Sequence, residues 1–234
     1  MPVALITGAS RGLGRALARE LAARGWNLVV DARDSTALQR AVAAFEEPGH
    51  VTIVPGDVGD AAHRAELARA VRRLGRLDLL VNNASVLGPS PQPPLERYPL
   101  DELERVFRIN TLAPLALLQL VLAELTVARG TVIDISSDAA VEAYPGWGGY
   151  GSSKAALDQL TAVLAAEQPA IHIYAFDPGD MRTTMQQEAF PGEDISDRPE
   201  PETVVPALLH LIERRPASGR YRSRDLLVTA GGGR

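Results

Sequence analysis

Tyr150 and Lys154 stand four residues apart in Y-G-S-S-K, and Lys154 is the only lysine in the chain. Lysine and arginine total 24, so the other 23 basic residues are all arginine. A chain that otherwise writes its cations as arginine and keeps one ammonium has a use for a compact point charge on a flexible stem, which a planar guanidinium does not supply. On a helix, positions i and i+4 share a face, so phenol and ammonium would point the same way. An ammonium beside a phenol favours the phenolate, and is expected to lower the Tyr150 pKa from about 10 toward working pH. That pairing suits general acid/base work; the plain alternative is a surface lysine lying against a tyrosine. A second group is T-G-A-S-R-G-L-G over 7–14. Gly8 would permit a tight turn, and Gly12 and Gly14 would let backbone approach a phosphate at a helix N-terminus. The gap between the first two glycines departs from the G-x-G-x-x-G fingerprint. The nucleotide reading therefore rests on the turn's place between a strand and a helix, since many glycine-rich turns bind nothing.

The elements that must position these groups alternate along the whole chain. Short apolar runs read as strands buried on both faces: Val3–Thr7, Leu28–Asp31, Val51–Val54, Leu77–Val81, Thr131–Ile135, Ile171–Phe176 and Leu226–Thr229. Between them lie helical patterns at Leu13–Arg24, Thr36–Phe45, Ala61–Leu74, Leu100–Leu125, Gly151–Ala166 and Glu202–Arg214. Alternation of this kind predicts an α/β fold, a doubly wound parallel sheet of seven strands with helices on both faces. No linker or repeat divides it, so residues 1–234 read as one domain. Two stretches break the rhythm, the proline-rich Gly88–Pro99 and the polar Pro178–Pro201. Both follow strand ends, where open α/β sheets bind ligands.

Bulk properties narrow the class of function. The chain has 234 residues, a net charge of −5, no cysteine and four scattered histidines. These predict no disulfide, no thiolate chemistry and no metal site, and argue against nucleic acid or membrane as partner. The N-terminus enters a strand without a charged leader, so no signal peptide is expected and the cytoplasm is the expected location. The most apolar run, Thr111–Leu125, is read as a buried helix too short to span a bilayer.

T-G-A-S-R-G-L-G at 7–14, G-D-V at 56–58, N-N-A-S at 82–85, Asn110, I-S-S at 135–137, Y-G-S-S-K at 150–154 and P-G-D-M-R-T at 178–183 occur in one order through this series. In these pieces the chain resembles the short-chain dehydrogenase/reductase family over nearly its whole length. The resemblance implies a Rossmann-type fold, a nicotinamide cofactor, and hydride transfer between a carbonyl and a primary or secondary alcohol. It implies that Tyr150 is the general acid/base, that Ser137 positions the carbonyl oxygen, and that Lys154 holds the nicotinamide ribose and depresses the Tyr150 pKa. Asn110 would support Lys154 through an ordered water. The cofactor would lie on Gly8, Ser10, Arg11, Gly12, Leu13 and Gly14, with Asp57 and Val58 at the adenine and Asn83 and Ala84 along the adenosine. Pro178, Gly179, Met181 and Thr183 would meet the nicotinamide, Thr183 at its carboxamide. Each residue has a plainer reading: Ser137 as a strand-end cap, Asn110 as a helix residue bonding backbone, Asp57 as a turn residue. Ser85 departs from the family's usual glycine.

Cofactor choice turns on V-V-D-A-R-D over 29–34. The family register puts Ala32 where an NAD-selecting acid would stand and Arg33 at the phosphate-binding position, with Arg11 as a second cation, so NADP(H) is expected and NAD(H) remains possible. A one-residue shift would put Asp31 in the selecting position and reverse the preference. Apolar and aromatic walls from Tyr144, Trp147, Met181, Met185 and Phe190 would suit a small carbonyl compound with an apolar body. A homodimer or homotetramer is expected, because the helices over 112–125 and 151–166 are too apolar or small-residue-rich to stand exposed. The alternative function is a non-catalytic dinucleotide-binding sensor of the same fold. An epimerase of the extended branch would need more chain for its substrate domain than the roughly 55 residues after Gly179.

Overall fold

The computed structural model describes residues 1–45 and 50–226. Seven strands form one parallel sheet: β1 (Val3–Ile6), β2 (Asn27–Val30), β3 (Val51–Ile53), β4 (Leu79–Asn82), β5 (Thr131–Ile135), β6 (His172–Asp177) and β7 (Gly219–Arg222), in the order β3-β2-β1-β4-β5-β6-β7. Chain direction of travel across the sheet reverses between β1 and β4, which opens a crevice beyond their carboxyl ends.

The strands are apolar throughout because both faces are covered, and successive side chains divide between two cores. Ala4 and Ile6 of β1, Leu79 and Val81 of β4, and Tyr174 and Phe176 of β6 join one cluster. Val3 and Leu5, Leu80, and Ile173 join the other. The first is closed by α1 (Gly12–Ala23), α2 (Ser35–Ala43) and α8 (Val205–Arg214). The second is closed by α3 (Ala61–Leu74) and α5 (Ala113–Ala128), with α6 (Gly148–Glu167) against its edge through Leu164 and Ala165. Each fully buried leucine or isoleucine here contributes about 1.5–3 kcal/mol, which holds the strand ends, and the residues on them, in register.

Three expectations are corrected. Among the described residues the last strand is Gly219–Arg222, which the sequence pattern did not show; of the strand expected over Leu226–Thr229, Leu226 is a buried core residue and 227–229 lie outside the described residues. As an edge strand, G-R-Y-R needs no apolar pattern. The helix expected over Leu100–Leu125 is α4 (Leu100–Phe107), a five-residue π-turn at Arg108–Leu112, then α5. Pro114 lacks the N–H that a regular turn requires, and here it falls in the first turn of α5, where none is needed. The continuous path Leu100–Ala128 is 29 residues with mean hydropathy 1.8 in its most apolar window, long and apolar enough to cross a membrane, contrary to the estimate from the shorter run. Leu117, Leu118, Val121 and Leu125 bury one face of it against the sheet, as a core helix does. Finally, the segment after β6 is not wholly irregular, for it contains α7 (Thr184–Ala189).

Candidate active site

A cleft of about 640 Å³ opens at the carboxyl ends of the strands. Its nucleotide end is built by the turn from β1 into α1. Gly8 has φ +69, and a Cβ there would come within 2.9 Å of the Ala84 Cα, so the turn and the end of β4 touch only because no side chain intervenes. Asn83 ties the two together, its Nδ2 donating to the carbonyl oxygens of Thr7 (2.9 Å) and Gly8 (3.1 Å). The N-terminus of α1 has no side-chain cap, which leaves backbone N–H groups and the positive dipole end facing the cleft. Gly8, Ser10, Arg11, Gly12, Leu13, Arg33, Asp57, Val58, Asn83 and Ala84 all line it; Gly14 does not, being packed against Asn83. Arg11 and Arg33 are exposed at this end and, among the described residues, make no ion pair. Two unpartnered guanidiniums beside an uncapped helix fit a phosphorylated nucleotide.

Asp31, the residue that could have favoured NAD(H), is 1% exposed. Its Oδ1 accepts the Gly8 N–H at 2.8 Å and its Oδ2 lies 3.1 Å from His63 Nε2. One carboxylate oxygen thus braces the glycine turn from within and the other is engaged by α3. Asp34 is likewise engaged, as the N-cap of α2, accepting from Ala37 N. Asp57 lines the cleft while its Oδ1 accepts the Gly59 N–H, so the turn role is real.

At the other end the carboxyl end of β5 brings Ser136 and Ser137, and the first two turns of α6 bring Tyr150 and Lys154, to one wall. The helix starts at Gly148, earlier than its sequence pattern shows, which places Tyr150 in the opening turn. Lys154 is 2% exposed; its Nζ donates to the Ile135 carbonyl at 2.7 Å and sits 5.6 Å from the centre of the Tyr150 ring. Burial pushes the ammonium down to about 8, against the pull of Asp158 and Asp134. Burial also pushes the Tyr150 phenol upward, with Asp138 and Asp177 adding to the rise and hydrogen bonds to Ser137 and Ser85 opposing it. The expected depression of Tyr150 by Lys154 is therefore corrected. Desolvation penalises both charged forms, and it is the largest cause of the shift at each. The phenol is protonated at neutral pH, the form able to give a proton to a carbonyl oxygen.

Asn110 lies behind this wall, not on it. It is 1% exposed, in the π-turn, and its side chain is fully used. Oδ1 accepts from Val86 N (2.9 Å) and Ser85 Oγ (3.1 Å), and Nδ2 donates to Val86 O and Ser153 Oγ. The side chain braces the β4 loop against α6, so a water shared with Lys154 would have to be held by the Asn110 main chain. Ser85, in place of the family's glycine, lines the cleft, and its Oγ donates to Asn110 Oδ1 at 3.1 Å.

Pro178, Gly179, Met181, Thr183, Met185 and Trp147 line the cleft, and Thr183 also caps α7 through Gln186 N. Tyr144 is not on the lining: its hydroxyl donates to Asp138 Oδ2 at 3.0 Å and its ring meets Trp147 edge-on, 6.4 Å away. Phe190 stands behind Trp147 at 5.9 Å. Sequence reasoning missed Asp138 and Asp180, which add two carboxylates to this end of the cleft. Ser137 Oγ donates to Asp138 Oδ1 at 2.9 Å. The signal for Asp138 was its adjacency to I-S-S, and for Asp180 its place inside P-G-D-M-R-T.

The family profile described as short chain dehydrogenase matches residues 2–194. The sepiapterin reductase of Meriones unguiculatus is 37% identical over 201 residues, spanning 80% of this chain and 77% of that protein. Among solved structures, an alcohol dehydrogenase from the archaeon Thermococcus sibiricus, complexed with 5-hydroxy-NADP, aligns with a TM-score of 0.85 at 28% identity, covering 95% of each chain. A short chain dehydrogenase from Escherichia coli CFT073, complexed with NADPH, aligns at 0.87 and 27%, covering 95% of this chain and 96% of that one.

Proposed function

Because the chain belongs to the short-chain dehydrogenase/reductase family, an oxidoreductase family, we propose that it is an NADP(H)-dependent reductase converting a small carbonyl compound to its alcohol. The observation that carries this is the gathering of Tyr150, Ser137 and Lys154 on one wall of a cleft whose far end presents two arginines that make no ion pair among the described residues. The glycine turn and the α1 N-terminus would hold the pyrophosphate, Arg11 and Arg33 the ribose 2′-phosphate, and Lys154 the nicotinamide ribose. When bound, the nicotinamide supplies the hydride. Ser137, turning its one proton from Asp138 to the substrate, would fix the carbonyl oxygen by hydrogen bond, and Tyr150, protonated, would deliver the proton to it. The segment over 178–201 would act as the substrate loop. The aromatic side of the cleft, together with Asp138 and Asp180, favours uncharged carbonyls over keto acids, whose carboxylates those two acids would repel. Relatives solved with NADPH or an NADP derivative support the cofactor assignment.

The experiment is NADPH oxidation followed with a panel of ketones, aldehydes and diketones. Sepiapterin comes first, in view of the relative named for it, and matched keto acids serve as contrast. Turnover of uncharged carbonyls is the expected result; binding of NADPH without turnover across the panel would favour the non-catalytic sensor. In the same assay Arg33→Ala should lose about tenfold or more in kcat/KM for NADPH while NADH changes little, since each charge-assisted bond to the phosphate contributes about 1.5–3 kcal/mol. An unchanged NADPH efficiency would put the phosphate elsewhere.

The assembly is expected to be a homodimer or homotetramer. Val127 at the end of α5 and Val163 on α6 are 81% and 43% exposed, and Leu112 at the end of the π-turn before α5 is 56% exposed. Apolar side chains on two long adjacent helices suit a self-complementary interface. Light scattering at micromolar concentration should give at least twice the 25.0 kDa of one chain; a 25.0 kDa particle would refute the interface.

A further inference from the structure

Arg220 belongs to none of the sequence motifs. It projects from the edge strand β7, yet its guanidinium reaches all three elements that carry the reaction centre. Its Nη2 donates to the main-chain oxygen of Ser137 at 2.9 Å and to Asp177 Oδ2 at 3.2 Å. Its Nε donates to Asp158 Oδ2 at 2.9 Å. Asp177, at the end of β6, accepts the Gly179 N–H on its other oxygen at 3.0 Å, which fixes the turn leading into the substrate segment. Asp158 lies on α6 one helical turn after Lys154 and acts on its charge. The group is half-enclosed: the side chains of Arg220, Asp158 and Asp177 are 26%, 14% and 6% exposed. The five fixed donors of a guanidinium suit such a three-way contact, and a lysine's point charge does not.

We propose that Arg220 is a positioning residue for the reaction. One fork sets the Ser137 main chain, the Pro178–Gly179 turn and the α6 turn behind Lys154 in a common frame, and it neutralises Asp158 so that this carboxylate does not hold Lys154 too strongly cationic. The charged groups around it are Asp158, Asp177 and, through Lys154, Asp134, with Arg222 on the outer side of Asp177. The proposal rests on the roles given above to Ser137 and Lys154, and its first readout is independent of them.

Arg220→Met keeps the length and apolar stem and removes the fork. In the cofactor-free protein, amide hydrogen exchange should speed up at 136–138 and 178–181 while the glycine turn at 8–14 stays as in wild type. In the assay, kcat should fall about tenfold to a hundredfold, the scale of a small misplacement of reacting groups, while KM for NADPH moves little. The alkaline limb of the kcat/KM profile for NADPH should shift to higher pH, because Asp158, released from Arg220, raises the Lys154 pKa. Arg220→Lys restores charge without the fork, so it should keep the wild-type limb and still show reduced kcat. Unchanged exchange at both segments, kcat within about twofold of wild type, or a fall in kcat with an unmoved limb in Arg220→Met would each overturn the proposal. Should Arg220→Met fail to fold, wild-type kcat in Arg220→Lys would overturn it alone. If the wild type turns over no carbonyl, the functional reading fails while the exchange result still decides the frame.

Discussion

Tyr150→Phe should lower carbonyl reduction by about a hundredfold to ten-thousandfold, the range that a positioned general acid supplies. The substitution is clean because the ring is held independently of its hydroxyl. Tyr150 packs with Leu87 and Ala139, and with Trp147 and Met185 beside them, the Trp147 ring centre being 5.9 Å away. A phenylalanine keeps those contacts, so the thermal midpoint should move little. The hydroxyls of Ser137 and Ser85 lose one neighbour but keep Asp138 and Asn110 as partners. NADPH binding, read by fluorescence, should stay within about threefold of wild type, less than 1 kcal/mol. Residual turnover within tenfold of wild type would remove Tyr150 from the role of acid.

Lys154→Arg should be nearly as damaging despite conserving the charge. The pocket is sized for one ammonium on one acceptor, the Ile135 carbonyl at 2.7 Å, and is all but closed to solvent. A guanidinium brings five donors to that single oxygen, and unsatisfied buried donors cost about 1–3 kcal/mol each. We expect a loss of about a hundredfold in kcat/KM together with a lower thermal midpoint. The pH profile adds a sign. Burial lowers the Lys154 pKa to about 8, so the ammonium is present below that pH and lost above it. Wild-type kcat/KM for NADPH, which reports the free protein, should therefore fall as pH rises through about 8. Arginine stays charged across this range, so the variant's residual activity should lack that limb. Near-wild-type turnover, or the same limb in the variant, would show that the ammonium is not what the site needs.

How much of this was legible in advance depended on the distance over which each feature is encoded. The Tyr150–Lys154 face, the glycine turn and the position of Ser137 at a strand end follow from spacings of a few residues, and the structure brings them to one cleft. Asn110 was found by its place in the family pattern, but the bonds of its side chain were not. Its four side-chain bonds go to residues 24, 25 and 43 positions away, which no local pattern displays. Asp31 looked like a ribose ligand at the right spacing from Gly8. Only His63, from the third helix, shows that its second oxygen is already engaged.

What the sequence determined by itself is the architecture and which side chains are the candidates for the reaction. Strand and helix periods are local, and a parallel sheet buried on both faces writes its strands as apolar runs. What tertiary structure alone decided is the state of those groups and the frame that holds them. The protonation of Tyr150 reverses the sequence expectation because desolvation, which depends on everything packed around a side chain, outweighs one neighbouring charge. The strand at Gly219–Arg222 was not foreseen because an edge strand is exempt from the apolar pattern, and its Arg220 reaches Ser137, 83 residues earlier, only because the sheet places strands five, six and seven side by side.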